Sequence, residues 1–227
     1  VPAFVATLVT TWYGGILGVG EFSYQFGLSQ WLIMGLPYYI FSALFALFLA
    51  GKIRMNRAMS IPEAVAGSYG ARAGKISAIP VFILVSPAPY ILMLGLLRQS
   101  VTGGSAPYLL YAAVVALFSV LYVTVGGFGA VVRTDKLQML LMYGGFALLF
   151  IFAVAEAGTP AQLLETVPET FRDPTGGHTW QYMLVWFFIA LWTFVDPGFH
   201  QRAAAAESPA SARKGIFISI LLWTLFD

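Results

Sequence analysis

Few residues in this sequence are equipped for chemistry, and most of them sit in stretches otherwise too apolar to carry them. Glu21 closes the glycine-rich run "YGGILGVGEF", and Asp196 opens "VDPGF". An acid at membrane depth is costly, and acids kept there bind ions, relay protons or balance a charge on a solute. Glu21 has a plainer alternative, since it lies close enough to the end of its segment to reach outer water. Thr10 and Thr11 stand just before the glycines. Their hydroxyl and carbonyl oxygens suit a hard cation such as sodium, although threonine hydroxyls in membrane helices also bond back onto their own helix. Trp12 and Tyr13 follow directly and either face lipid or wall a pocket. His178 and His200 have no metal-ligand partner at suitable spacing, and the chain has no cysteine. No nucleophile with a base and no phosphate-binding loop occurs, so the pattern is that of a protein that binds and moves something, not of an enzyme.

The elements that position these residues follow from composition. Of 227 residues, 59% are hydrophobic and 10% charged, more apolar surface than a soluble domain of this size can bury. The charges collect in short clusters between apolar runs of bilayer-spanning length, about 17 to 25 residues. The fold class is therefore an all-α membrane protein, a multi-span helical bundle in the lipid bilayer. Barrel strands would alternate polar and apolar residues instead. The net charge of +2 is spread over the edges of the segments, which excludes a nucleic-acid partner.

Seven apolar segments are predicted, at about 3–26, 31–50, 76–97, 108–125, 139–155 and 182–199, with a last one from Ile216. If the first starts in the cytoplasm, the inner side holds Lys52, Arg54, Arg57, Arg72, Lys75, Arg133, Lys136, Arg202, Arg213 and Lys214, against Arg98 and Arg172 outside. That bias predicts a multi-pass protein of the cell membrane with its basic loops cytoplasmic. Ser60, three residues before Glu63 in "SIPEAVAGSYG", predicts a capped helix start on the inner face.

Two segments carry helix breakers. Gly14, Gly15, Gly18 and Gly20 fall in the first, and Pro197 and Gly198 follow Asp196 in the sixth. The two segments are five apart and run in opposite directions. This is the pattern of an inverted repeat of five helices whose first members are discontinuous at mid-membrane, with freed backbone groups lining a site. The function it predicts is secondary transport; glycines that merely allow close helix packing are the plainer reading.

Longer motifs then bring a resemblance. "SAPYLLYAAVVALFSVLYVTVGGFGA" (Ser105 to Ala130), with Gly126 and Gly127, followed by "RTDKLQ" with Arg133 and Asp135, resembles the signature region of the sodium/solute symporter family. "QRAAAAESPASARKG", beginning Gln201 and Arg202, is similar to that family's Gln-Arg segment, and "SIPEAVAGSYG" to its Pro-Glu loop. The matches keep family order over nearly the whole chain. The resemblance implies a fragment of a five-plus-five inverted-repeat transporter, a single transmembrane domain over 1–227 truncated at both ends. The first repeat would cover about 1–157 and the start of the second about 180–227.

The resemblance further implies a symporter that imports a small organic solute with sodium as coupling ion and no organic cofactor. Family sodium carbonyls fall on Leu8 and Thr11, while Thr10 stands where relatives often carry Asn or Asp. Positions that hold sugar in one branch become Gly15, Met34, Pro37, Ile189, Trp192 and Trp223, with Trp192 at an aromatic gate. Such a lining lacks the donors and acceptors a sugar needs, and favours an amino acid, a carboxylate or a nucleobase-like solute. Gly126 to Asp135, with Gln201 and Arg202, is expected at the cytoplasmic surface as hinge and anchor, with Asp135 paired locally. Two alternatives stay open: a transporter-like sensor domain of a signalling protein, and a proton-coupled symporter in which Asp196 or Glu21 carries the proton.

Overall fold

A computed structural model describes residues 1–56, 58–105 and 107–227, the side chains of Trp12, Tyr13 and Gln99 apart. Arg57 and the Trp12 side chain, both named above, therefore lie outside the described residues. The described chain is helical, without strands. Helix α1 (Pro2–Trp12) passes through a 3-10 turn, Tyr13–Gly15, into α2 (Ile16–Phe26). The two are bent by 59°. The break comes at Gly14 and Gly15, as expected, but Gly18 and Gly20 sit inside α2. That corrects the prediction of a longer unwound stretch: a lone glycine weakens a helix by roughly 1 kcal/mol, and hydrogen bonds on either side hold it.

Helix α3 (Trp31–Asn56) crosses next, followed by a short hairpin of α4 (Ile61–Tyr69) and α5 (Ala71–Leu84). Ser60 caps α4, its hydroxyl accepting from the Glu63 amide at 3.2 Å while Glu63 accepts from the Met59 amide at 2.8 Å, which is the capping expected there. The third apolar segment is not one even helix. It stops at Leu84 and restarts as α6 (Ala88–Thr102), because Pro87 and Pro89 cannot continue a helix but can begin one.

Helix α7 (Tyr108–Ala157) holds the fourth and fifth segments. As a straight helix its 50 residues would run about 75 Å, more than twice the hydrocarbon thickness. Gly127, with φ +60°, interrupts it. Tyr122 and Thr134 hydroxyls meet at 2.7 Å although 12 residues apart in sequence, a separation of about 18 Å along an unbroken helix. The chain therefore turns back at Gly127.

Beyond two short helices, α8 (Pro160–Thr166) and α9 (Glu169–Arg172), the chain enters α10 (Trp180–Ile189), which tightens into a 3-10 turn at Ala190–Phe194. Helix α11 (Pro197–Ala205) follows, then α12 (Pro209–Phe226). The sixth-segment break thus lies ahead of Pro197, not at it. Pro197 and Gly198 form the first turn of α11, where proline has no helical amide bond to lose. The last helix begins at Pro209 rather than Ile216, because Ser208 caps it by accepting from the Ser211 amide at 3.1 Å. Its basic first turns hid that start from a hydropathy reading.

Among the described residues, four helical stretches, Trp31–Asn56, Ala71–Thr102, Tyr108–Ala157 and Trp180–Ala205, are long and apolar enough to cross a membrane, or five counting the bent α1–α2 pair. The core lies where α1, α3, α11 and α12 meet, around Leu8, Val9, Phe45, Phe199, Ile216 and Trp223. Helices α5 to α7 turn apolar side chains such as Phe82, Leu109 and Val125 outward, the surface that lipid requires. The protein is an integral membrane protein.

Candidate functional site

The break in α1–α2 and the break in α10–α11 come together across one cavity of about 240 Å³. Leu8 and Thr11 reach it from α1, Met34 and Tyr38 from α3, Tyr90 from α6, and Trp192, Asp196, Phe199 and Arg202 from the second break and α11. Tyr90 packs against the first break: a Cβ at Gly14 would come within 2.9 Å of its ring, so a side chain there would push the ring aside.

Asp196 organises the second break. Its Oδ1 accepts from the Phe199 amide at 2.8 Å, the N-cap bond of α11, and its Oδ2 accepts from Trp192 Nε1 at 3.0 Å. One carboxylate thus starts the helix and fixes the indole that faces the cavity. His200 Nε2 bonds the Phe194 carbonyl at 2.8 Å across the same break.

Arg202 is the residue that sequence reasoning misplaced. It was expected at the cytoplasmic surface beside Gln201; Gln201 is exposed, but Arg202 is 8% exposed and inside the bundle. Its Nε donates to the Thr7 carbonyl at 3.2 Å and the Thr7 hydroxyl at 3.1 Å, its Nη1 to the Gly198 carbonyl at 3.1 Å, and its Nη2 to the Thr11 hydroxyl. The guanidinium fork needs several acceptors at once to repay its desolvation, and α1 supplies them. The run Ala203–Ala206 after it is small enough for α11 to lie against its neighbours. Asp135, expected to pair locally, is instead buried at 6% exposure and faces Thr7, Thr10 and Arg202. Gly127 makes this turn possible, while Arg133 stays exposed with Nε on the Gly129 carbonyl at 3.2 Å.

The threonines of α1 are occupied. Thr10 donates to the Ala6 carbonyl at 2.9 Å and Thr11 to the Thr7 carbonyl at 2.7 Å. Because the Thr11 hydroxyl also accepts from Arg202, its carbonyl, in the last turn of α1 where regular partners run out, is the freer oxygen for a cation. Among the described residues no cluster of three or more His, Cys, Asp or Glu is placed to hold a metal ion.

Other expected positions lie elsewhere. Gly15 has open space around it, Pro37 is buried within α3, and Trp223 is buried in the core with its ring 6.2 Å from that of Phe199. Ile189 is 44% exposed in a separate apolar groove with Leu184, Val185 and Phe188. Glu21 is exposed on α2 and accepts from Gln25 at 3.2 Å. Tyr38 and Tyr90 were not foreseen; the prolines before Tyr90 marked a break, but nothing local showed which side of it the ring would take.

A second cavity of about 210 Å³ is lined by Phe4, Thr7, Phe128, Val132 and Glu207, and by Arg202. Arg202 thus lines both cavities, and its bonds reach Thr11 of the first and Thr7 of the second.

The model of the Sodium:solute symporter family matches residues 5–226. The chain belongs to that family. The chain also resembles a Drosophila melanogaster protein described as a sodium-dependent multivitamin transporter, at 26% identity over 220 residues. That alignment takes in 89% of this chain and 35% of the relative, so the chain spans about a third of the length of the curated relative it matches. No solved structure matches it.

Proposed function

We propose that this symporter imports a small organic solute together with sodium by alternating access, in the cell membrane with its basic loops cytoplasmic. The observation that carries the reading is the pair of cavities that share Arg202, bound to Thr7 of one and Thr11 of the other. A site that opens alternately to two sides needs contacts that a small helix movement can part, and the Arg202 bonds to α1 would be such contacts. Sodium is cargo here, and Leu8 and Thr11 would hold it through backbone carbonyls beside the α1 break, with Thr10 steadying that turn. The solute would sit between Met34 and Trp192. Residues about 1–157 would form one repeat and about 180–227 the start of its inverted copy.

The test is uptake by the whole protein in proteoliposomes, from a pool of amino acids, carboxylates and nucleobases, with an inward sodium gradient, a proton gradient or neither. Sodium-driven accumulation of one member is expected. Accumulation driven by protons alone, or solute binding with no accumulation under any gradient, would overturn sodium symport.

A further inference from the structure

Asp196 and Arg202 both line the cavity, and Arg202 lies within electrostatic reach of Asp135 and Asp196. Asp135 is enclosed at 6% exposure on the side of Thr7 and Thr10 and does not line the cavity. The Arg202 bonds go to Thr7, Thr11 and the Gly198 carbonyl, whereas the Asp196 carboxylate lines the cavity with its two bonds to Trp192 and the Phe199 amide.

The walls around that carboxylate are aromatic. The Trp192 indole is fixed to it by the bond at 3.0 Å, Phe199, whose backbone amide caps onto it at 2.8 Å, also lines the cavity, Tyr38 lies within its electrostatic reach, and Tyr90 closes the α6 side. Each carboxylate oxygen has accepted one bond and keeps a second lone pair. Ring faces carry negative charge and attract cations, the more so where water is excluded. A carboxylic solute would instead meet Asp196 as a like charge.

Resting on the symport reading above, we propose that the transported solute carries an ammonium group, with Asp196 as its counter-ion and Tyr38, Tyr90, Trp192 and Phe199 as the surrounding aromatic wall. The rest of the solute lies along Leu8 and Met34, and a second, anionic end in an amino acid is met by the cavity-facing edge of Arg202.

The experiment measures binding of matched probes to the whole protein in lipid nanodiscs, with and without sodium. The probes are choline against its uncharged isostere 3,3-dimethylbutan-1-ol, and 3-methylbutylamine against 3-methylbutan-1-ol and 4-methylpentanoate. At least one ammonium probe is expected to bind about tenfold or more tighter than its uncharged partner. Asp196→Asn is the informative variant, because its one side-chain oxygen caps a helix as well as Asp does while the charge is removed; its amide nitrogen cannot accept from Trp192, so that bond goes with the charge. It is expected to reduce the preference to near unity with the melting temperature maintained. Asp196→Glu is expected to restore part of it. Equal binding of charged and uncharged probes, tighter binding of 4-methylpentanoate, no binding by either ammonium probe, or a preference that survives Asp196→Asn would each overturn the proposal. An Asp196-dependent preference that ignores sodium leaves the counter-ion in place and removes the coupling. Sodium-stimulated binding of the carboxylate does the reverse.

Discussion

The two helix breaks face each other across one cavity but are built from opposite materials. The first, at Tyr13–Gly15, depends on what glycine lacks: α2 begins without a side-chain cap, and Gly15 has nothing within 4 Å of where a Cβ would lie. The second, ahead of α11, is braced by side chains, with Asp196 capping the helix and holding Trp192, His200 tying back to Phe194, and Arg202 spanning to α1. A soft break can change shape cheaply, whereas a braced one keeps its geometry and moves as a unit. Any rearrangement between the cavities would therefore bend α1 against a rigid α11.

The largest test of this contrast removes the brace between the two. Arg202→Met should destabilise the protein by about 3 to 5 kcal/mol, since it strips a buried partner from Asp135 and the Thr7 and Thr11 acceptors. A lowered melting temperature in detergent would show it, and Asp135→Asn added to Arg202→Met should recover a measurable part. No loss of stability would mean that the two breaks are not mechanically joined.

Removing the cap alone comes next. Asp196→Ala should cost roughly 1 kcal/mol, within the range of a lost N-cap, and free Trp192. The indole's emission spectrum and the melting temperature are the measures; Asp196→Asn should keep the melting temperature close to that of the parent while still releasing the indole.

A smaller effect is expected at the soft break. Gly14→Ala forces the Tyr90 ring aside, and should weaken solute binding by several-fold with little change in stability, because the contact is with one movable ring edge. Pairing it with Tyr90→Leu should relieve the clash. If Gly14→Ala unfolds the protein instead, the first break is not soft.

The least effect belongs to Gly18→Ala. This glycine lies within α2 with open space around it, so alanine should stabilise the helix by up to about 1 kcal/mol and leave binding unchanged. A loss of transport at this position would extend the break beyond Gly15 during the working cycle.

What was legible in the sequence was local. Spans showed as long apolar runs, Ser60 and Glu63 as a cap, and Gly14 with Gly15 as a break, because each feature is decided by residues within a turn or two of one another. Gly18 and Gly20 misled for a related reason: a glycine's intrinsic cost is local, but whether it is enough to open a helix depends on what supports the turns beside it. Pro197 marked the right region and the wrong residue, since a proline that appears to break a helix can equally begin one.

Arg202 shows where such reading ends. As one of a row of basic residues near a segment end it looked like a surface anchor, and only its contact with Thr7, 195 residues away, puts it inside. Trp192 and Trp223 were equal candidates for a pocket wall; one faces the cavity and the other is enclosed against Phe199.

By itself the sequence determined that this chain is a helical membrane protein of the symporter family, where its helices weaken and which few residues are polar, because hydrophobicity and backbone preference act between near neighbours. Only the tertiary structure decided that Arg202 lines two cavities, that buried Asp135 faces it and that Asp196 shares a cavity with aromatic residues. Those pairings depend on which helix faces which, and burial makes them matter: a charge taken out of water must find its partners wherever the packing has brought them.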